Sequence, residues 1–314
     1  IVIPLFNEVE NLDALSERVF GAITRFGLDA EVLYVDDGSR DASEAAYHRL
    51  CRAYPRLRVI RLRRNFGQTA AMAAGFDHAR GSVIVVLDGD LQNDPDDIPR
   101  LLAKLDEGYD VVSGWRKDRR DSWTRVLPSR FANWLIGRVT GVVLHDYGCS
   151  LKAYRAEVIQ HIPLYGDLHR FIPALASIYG ATIAELPVRH HPREHGTSKY
   201  TLARTFRVIM DLVLVSFLKN YAQRPMHAFG WAGVLMMWTG LSIDLYLAVQ
   251  KLAFGVQLAN RPLLLFGTVL ILAGLQVASL GIFAEIQIRT YHESQGKPIY
   301  TVREIIASGE TVDS

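Results

Sequence analysis

Two runs near the carboxyl end, residues 225–243 and 262–284, contain no formally charged side chain. Each is long enough to cross about 30 Å of hydrocarbon as a helix. Two buried helices of a water-soluble protein are the alternative, but two such runs this close together favour a pair of membrane spans at about 225–249 and 262–286. The connection, 251–261, is short, so the spans form a hairpin whose two ends emerge on the same side. Arg193, Lys199, Arg204, Arg207, Lys219 and Arg224 precede the hairpin and Arg289 and Lys297 follow it, whereas the connection carries only Lys251 and Arg261. The excess of basic residues marks the cytoplasmic side. It places the preceding domain and both termini in the cytoplasm, on an integral protein of the cytoplasmic membrane. Asp244, at the far end of the first span, is either interfacial or turned toward the partner helix.

The hairpin divides the chain into residues 1–200, a juxtamembrane stretch 201–224, the hairpin 225–288 and a tail 289–314. Mean hydropathy is +0.10, and the apolar excess is concentrated in the hairpin. Lys and Arg number 35 against 33 Asp and Glu, a net charge of +2, which excludes the strong basic excess of a nucleic-acid binder. Cys51 and Cys149 are isolated and form neither a disulfide framework nor a CxxC metal site, as in a reducing compartment. The chain opens on Ile1-Val2-Ile3 without Met or a signal peptide, and is expected to lack a few native N-terminal residues.

Residues 1–113 alternate short strands with helical patterns. Strands are predicted at 1–5, 31–37, 57–62, 82–87 and 109–113, and helices at 9–27, between the second and third strands, at 69–79 and at 96–107. This repetition implies a mainly parallel sheet with helices on both faces, which binds ligands at the carboxyl ends of its strands. Asn7 and Glu8, Asp36 and Asp37, and Asp88 and Asp90 all fall at such ends. Further on, 129–143 carries Phe131, Trp134, Leu135 and Val139 among Arg130 and Arg138, and 201–222 carries Leu202, Phe206, Ile209, Val213, Phe217 and Tyr221 on one face. Either amphipathic segment suits a membrane interface or packing on its own domain.

The sharpest chemical signal is Asp88-Gly89-Asp90, two carboxylates flanking a small residue at a buried strand end. The pair suits a hard divalent cation bridging to a diphosphate, though a turn or helix cap is the plainer reading of such a pair alone. IPLFNE (3–8), VDDGSRD (35–41), RNFGQTAAMAAGF (64–76), LDGDLQNDP (87–95), DYGCSLKAYR (146–155), LHRFIPALA (168–176) and HHPREHGTSKY (190–200) accompany it. Together they resemble the inverting GT-A glycosyltransferases of the dolichol-phosphate mannose synthase type, in the bacterial form with two C-terminal transmembrane helices. The resemblance covers essentially the whole chain.

It implies a nucleotide-sugar donor, a polyprenyl-phosphate acceptor and a bound Mg²⁺ or Mn²⁺. Pro4, Phe6, Glu8, Asp36 and Asp37 would surround the base and ribose, with Asn65 and Gly67 in the same nucleotide-sugar site. Asp88 and Asp90, with Gln92, would hold the metal. Arg116, Arg125 and Ser129 would bind the lipid phosphate, and Arg193, Ser198 and Lys199 would belong to a loop closing over donor and acceptor. Asp167 sits where an acceptor-side acid is expected, as a positioning residue or weak base. A phosphate monoester is already largely anionic at neutral pH, its second pKa lying near about 6, so a strong base is not required. A zinc site at His190, His191 and His195 is disfavoured, because the expected metal needs oxygen ligands. A processive polysaccharide synthase would carry Gln-x-x-Arg-Trp on a later helix, and no such run occurs. Glucose is the first expectation for the sugar and mannose the second, with UDP ahead of GDP. The alternatives are a modified pentose or amino sugar on the same lipid or, in another class, a non-enzymatic membrane scaffold with a degenerate transferase domain. The hairpin also offers a surface for self-association into a homo-oligomer.

Overall fold

The computed structural model describes residues 1–117, 133–134, 136–138, 140–162, 164, 168–192, 225–255, 262–294, 299–308 and 310–313. Residues 1–215 and 298–314 form one compact unit and residues 216–297 a second.

The first unit is built on a nine-stranded sheet in the order β7-β5-β6-β4-β1-β2-β3-β8-β9. Its centre, β4 (Val83–Val86), β1 (Val2–Leu5), β2 (Val32–Asp36) and β3 (Leu57–Leu62), is wholly parallel. Apart from Arg58 and Arg61 on β3 and Asp36 at the end of β2, these strands are mainly β-branched and apolar, because both faces are covered, as parallel sheets require. Helix α1 (Leu12–Phe26) buries Leu12, Leu15, Val19, Ala22 and Ile23 on one stripe and ends at Gly27, whose φ of 61° is the left-handed conformation that closes a helix. Helices α2 (Ser43–Ala53), α3 (Gln68–His78) and α4 (Ile98–Asp106) follow β2, β3 and β4. Helix α3 lies so close to the sheet that a Cβ on Gly75 would run into the Val2 side chain.

Flanking this centre, β5 (Val111–Trp115) pairs in parallel with β7 (Ile183–Pro187), while β6 (Lys152–Arg155) inserts antiparallel between β4 and β5. Short helices α5 (Ala156–Ile159) and α6 (Ile172–Ile178) lie between β6 and β7 in the chain. The sequence leaves 289–314 as a tail, but β8 (Val302–Ala307) and β9 (Glu310–Asp313) add an antiparallel pair beside β3 and so extend the sheet.

The second unit holds α7 (Pro225–Phe254) and α8 (Pro262–Ser294), both long and apolar enough to cross a membrane. Trp231, Leu235, Trp238, Leu241 and Leu245 point outward from α7, and Leu265, Leu272 and Phe283 from α8. Between the helices Gly240 faces Gly267 and Gly233 faces Gly274, close enough that a Cβ on Gly240 would lie 2.5 Å from the Gly267 carbonyl oxygen. Of the two positions open to Asp244, the structure selects the partner helix: Thr268 donates to its carboxylate at 3.3 Å. Residues 201–222 lie outside the described residues.

Candidate active site

A pocket of about 380 Å³ opens at the carboxyl ends of the four central strands. It is lined by Pro4 near the end of β1 and by Phe6 and Glu8 after it, after β2 by Asp37, after β3 by Asn65, Gly67 and Gln68, and after β4 by Asp88, Gly89 and Asp90. Four loops brought side by side by the parallel order thus build one cavity from residues far apart in the chain.

Each loop is held by identifiable contacts. Asn7, at φ 57°, has a left-handed backbone between Phe6 and Glu8; its N–H donates to the Ser39 hydroxyl at 2.9 Å and its side-chain oxygen accepts from the Arg40 N–H at 2.9 Å. The Asn11 amide donates to Glu8 at 2.5 Å. Asp37 accepts the backbone N–H groups of Phe66 at 2.7 Å and Gly67 at 2.9 Å, fixing the loop that carries Asn65 and opens α3. Burial pushes the Asp37 carboxyl above its usual range, against the pull of those two bonds. Gly38, at φ 69°, leaves no room for a side chain, because a Cβ would strike the Arg64–Asn65 backbone.

At the deep end, Gln68 donates its amide to Asp88 at 2.9 Å. Burial first, and the neighbouring Asp90 charge second, push the Asp88 carboxyl up. Gly89 separates them because a Cβ there would press on Leu5. Beneath lies Lys152, opposite Val86 in the sheet, its buried ammonium donating to the Tyr147 and Cys149 carbonyls; burial lowers its pKa.

Pro4, Phe6, Glu8, Asp37, Asn65, Gly67, Asp88 and Asp90, all singled out from the sequence, meet in this pocket. Asp36 does not line it: it is 1% exposed and paired with Arg61. The Gln92 amide is turned to the His191 carbonyl at 3.4 Å. Arg116 sits in a fork with Asp146, Nε donating at 2.7 Å and Nη2 at 3.0 Å, and Glu185 fixes that fork by accepting the Asp146 N–H at 3.0 Å. Asp167, Arg125, Ser129, Arg193, Ser198, Lys199 and His195 lie outside the described residues. Gln68, Lys152 and Asp146 were not singled out from the sequence, although each stands within one of the quoted motifs. Among the described residues, no group of three or more His, Cys, Asp or Glu is arranged to hold a metal.

A mostly parallel sheet carrying a nucleotide-sized pocket at its strand ends and an Asp-Gly-Asp pair in that pocket defines a GT-A-like transferase fold. The chain belongs to glycosyl transferase family 2, whose family model matches residues 1–162. It is 47% identical over 310 residues to the dodecaprenyl-phosphate galacturonate synthase of Rhizobium johnstonii, covering 97% of this chain and 92% of that protein. It is 36% identical over 312 residues to the undecaprenyl-phosphate 4-deoxy-4-formamido-L-arabinose transferase of Edwardsiella ictaluri, covering 99% and 94%. The fold matches the crystal structure of glucosyl-3-phosphoglycerate synthase from Mycobacterium tuberculosis, solved with Mn²⁺, uridine diphosphate and phosphoglyceric acid, with a TM-score of 0.51. There 69% of this chain and 76% of that chain are covered at 19% identity.

Proposed function

We propose that this glycosyltransferase moves a hexuronic acid from a UDP-sugar onto polyprenyl phosphate at a membrane surface. Neither glucose nor mannose, the sequence-based expectation, draws support from the two polyprenyl-phosphate relatives, whose names carry galacturonate and a formamido-pentose. The higher identity to the galacturonate synthase favours the uronate, and the formamido-arabinose transferase supports a modified pentose as the second reading.

The observation that carries the diphosphate-donor part of the reading is the charge of the pocket. Glu8, Asp37, Asp88 and Asp90 line it, and none of its described lining residues is a cation. A diphosphate entering such a cavity meets repulsion unless a divalent ion comes with it. Asp88 and Asp90 would hold Mg²⁺ or Mn²⁺ through their carboxylate oxygens, the donors such hard cations prefer. Such an ion, when bound, would neutralise charge building up on the departing diphosphate.

The remaining work falls to the chain. Gln68 donates to Asp88, and Asp37 fixes the Phe66–Gly67 backbone at the pocket in which the nucleotide would lie. In the reaction, an oxygen of the lipid phosphate forms a bond to the anomeric carbon as the bond from that carbon to the UDP oxygen breaks, with inversion. UDP leaves with the electron pair, so no oxidant or reductant is involved. Arg116, Arg125 and Ser129 are our candidates for holding the acceptor phosphate, with Arg193, Ser198 and Lys199 closing over it and Asp167 positioning it. The apolar α7 and α8 would anchor the protein beside its lipid substrate, with the catalytic domain and both termini cytoplasmic.

The test is transfer by purified full chain with and without chelator. Asp88→Asn or Asp90→Asn should abolish transfer, and chelator should silence the wild type until Mg²⁺ or Mn²⁺ is restored. Full activity in chelator would remove the metal from the account.

A further inference from the structure

We infer that the segment returning from the second apolar helix is part of the donor pocket's support, with Glu304 and Arg61 acting as positioning residues for the nucleotide. The inference rests on the proposal that the pocket takes a nucleotide.

Arg61 lies on β3 and is only 6% exposed. Its guanidinium is ion-paired on three sides, to Asp36 at 3.4 Å, to Glu44 at 3.0 Å and to Glu304 of β8 in the closest contact of the three. A planar fork held by three carboxylates has its orientation over-determined. The pairing coincides with a register shift between Arg61 and Leu62 where β8 joins β3. Such an irregularity re-aims side chains at a sheet margin.

From Arg61 a continuous line of contacts reaches the pocket wall. Asp36, buried beside Arg61, accepts the Ser39 N–H at 2.9 Å. The Ser39 hydroxyl accepts the Asn7 N–H at 2.9 Å, and Asn7 accepts the Arg40 N–H at 2.9 Å. Asn7 stands between Phe6 and Glu8, both of which line the cavity. The returning segment is pinned at two more points: the Thr301 carbonyl accepts the Arg63 N–H at 3.0 Å, and the Tyr300 hydroxyl donates to Asp77 at 2.8 Å near the end of α3. Helix α3 begins with Gln68, which holds Asp88. The last strands therefore brace both the nucleotide wall and the helix that meets the carboxylate pair.

This arrangement explains Asp36. Its carboxylate, committed to Arg61 and the Ser39 N–H, acts on the nucleotide through the turn it fixes rather than by contact.

The experiment is calorimetric titration of UDP with Mn²⁺ into the full chain in detergent, for wild type and for Glu304→Ala, Glu304→Gln, Arg61→Lys and Arg303→Ala. Glu304→Ala and Arg61→Lys should weaken UDP binding about five- to twentyfold, a shift of roughly 1–2 kcal/mol. Glu304→Gln, which keeps an acceptor oxygen, should recover most of that loss. Arg303→Ala, on an exposed position of the same strand, should leave affinity within about twofold. The sign is diagnostic: removing a carboxylate favours an anionic ligand on charge alone, so weaker binding by Glu304→Ala reports geometry. Unchanged UDP affinity in Glu304→Ala with a lowered melting temperature would reduce the pair to a structural role and overturn the inference. Equal loss in Arg303→Ala would overturn it as well. Failure of the wild type to bind UDP would overturn the nucleotide proposal and this inference with it.

Discussion

Replacing Asp37 with alanine tests how the nucleotide pocket is held. Its carboxylate accepts two backbone N–H groups, from Phe66 and Gly67, in the loop that presents Asn65, Gly67 and Gln68 to the cavity. Hydrogen bonds to a charged group contribute about 1.5–3 kcal/mol each, so the pair is worth roughly 3–6 kcal/mol before offsets. Two offsets apply. Burial already disfavours the ionised carboxyl, as its raised pKa shows, and the loop is partly exposed, so water can take the released N–H groups. About 2 kcal/mol remains, equivalent to roughly thirtyfold in an equilibrium constant. Asp37→Ala should therefore weaken UDP binding about ten- to thirtyfold by calorimetry in the presence of Mn²⁺, at temperatures where circular dichroism shows the fold intact. Asp37→Asn, which keeps one acceptor oxygen, should fall between. UDP affinity within about twofold of wild type in Asp37→Ala would refute the idea that this carboxylate organises the pocket.

Gly38→Ala combines a left-handed backbone with a collision against Arg64 and Asn65. It should cost about 2–3 kcal/mol and lower the melting temperature by roughly 5–10 °C, and an unchanged melting curve would contradict the close approach. Gly240→Leu drives a side chain into the Gly267 backbone of the helical hairpin and should lower the midpoint of thermal aggregation in detergent; no change would argue against tight α7–α8 contact. The proposed orientation predicts that a cysteine at position 256 is labelled from outside intact cells while one at position 40 is not. The reverse pattern would invert the topology.

The central sheet was legible because its chemistry is repetitive. The runs around Val2–Leu5, Val32–Asp36, Leu57–Leu62 and Val83–Val86 are mainly apolar, with Arg58 and Arg61 set among the apolar residues of the third, and each ends in polar residues that a parallel order gathers at one edge. The strands with mixed character were not. Lys152–Arg155 places two cations in four residues, and nothing local reveals that Lys152 is buried beneath the carboxylate pair. Val302–Ala307 sets the adjacent charges Arg303 and Glu304 before three apolar residues and follows an apolar helix in the chain, so its pairing with β3 is visible only once the sheet exists. At the site the residue types that touch the cavity could be named, but their division of labour could not. Asp36 and Asp37 are adjacent and chemically identical, yet one reaches inward to Arg61 and the other across to the Phe66–Gly67 backbone. Gln68 went unnoticed because a lone amide at a helix start has no signature until Asp88 is seen beside it.

The most direct measurement of the central claim is the mass of the lipid product. Purified full chain, Mn²⁺ and a short polyprenyl phosphate are incubated separately with UDP-galacturonate, UDP-glucose and a UDP-linked formamido-arabinose, and the lipids are analysed by mass spectrometry. The account predicts that UDP-galacturonate yields the lipid phosphate carrying a single hexuronosyl residue, that UDP-glucose yields little or nothing, and that Asp88→Asn yields no product from any donor. Lipid extended by several sugars, transfer that persists in Asp88→Asn, or donor hydrolysis with no glycolipid formed would contradict it.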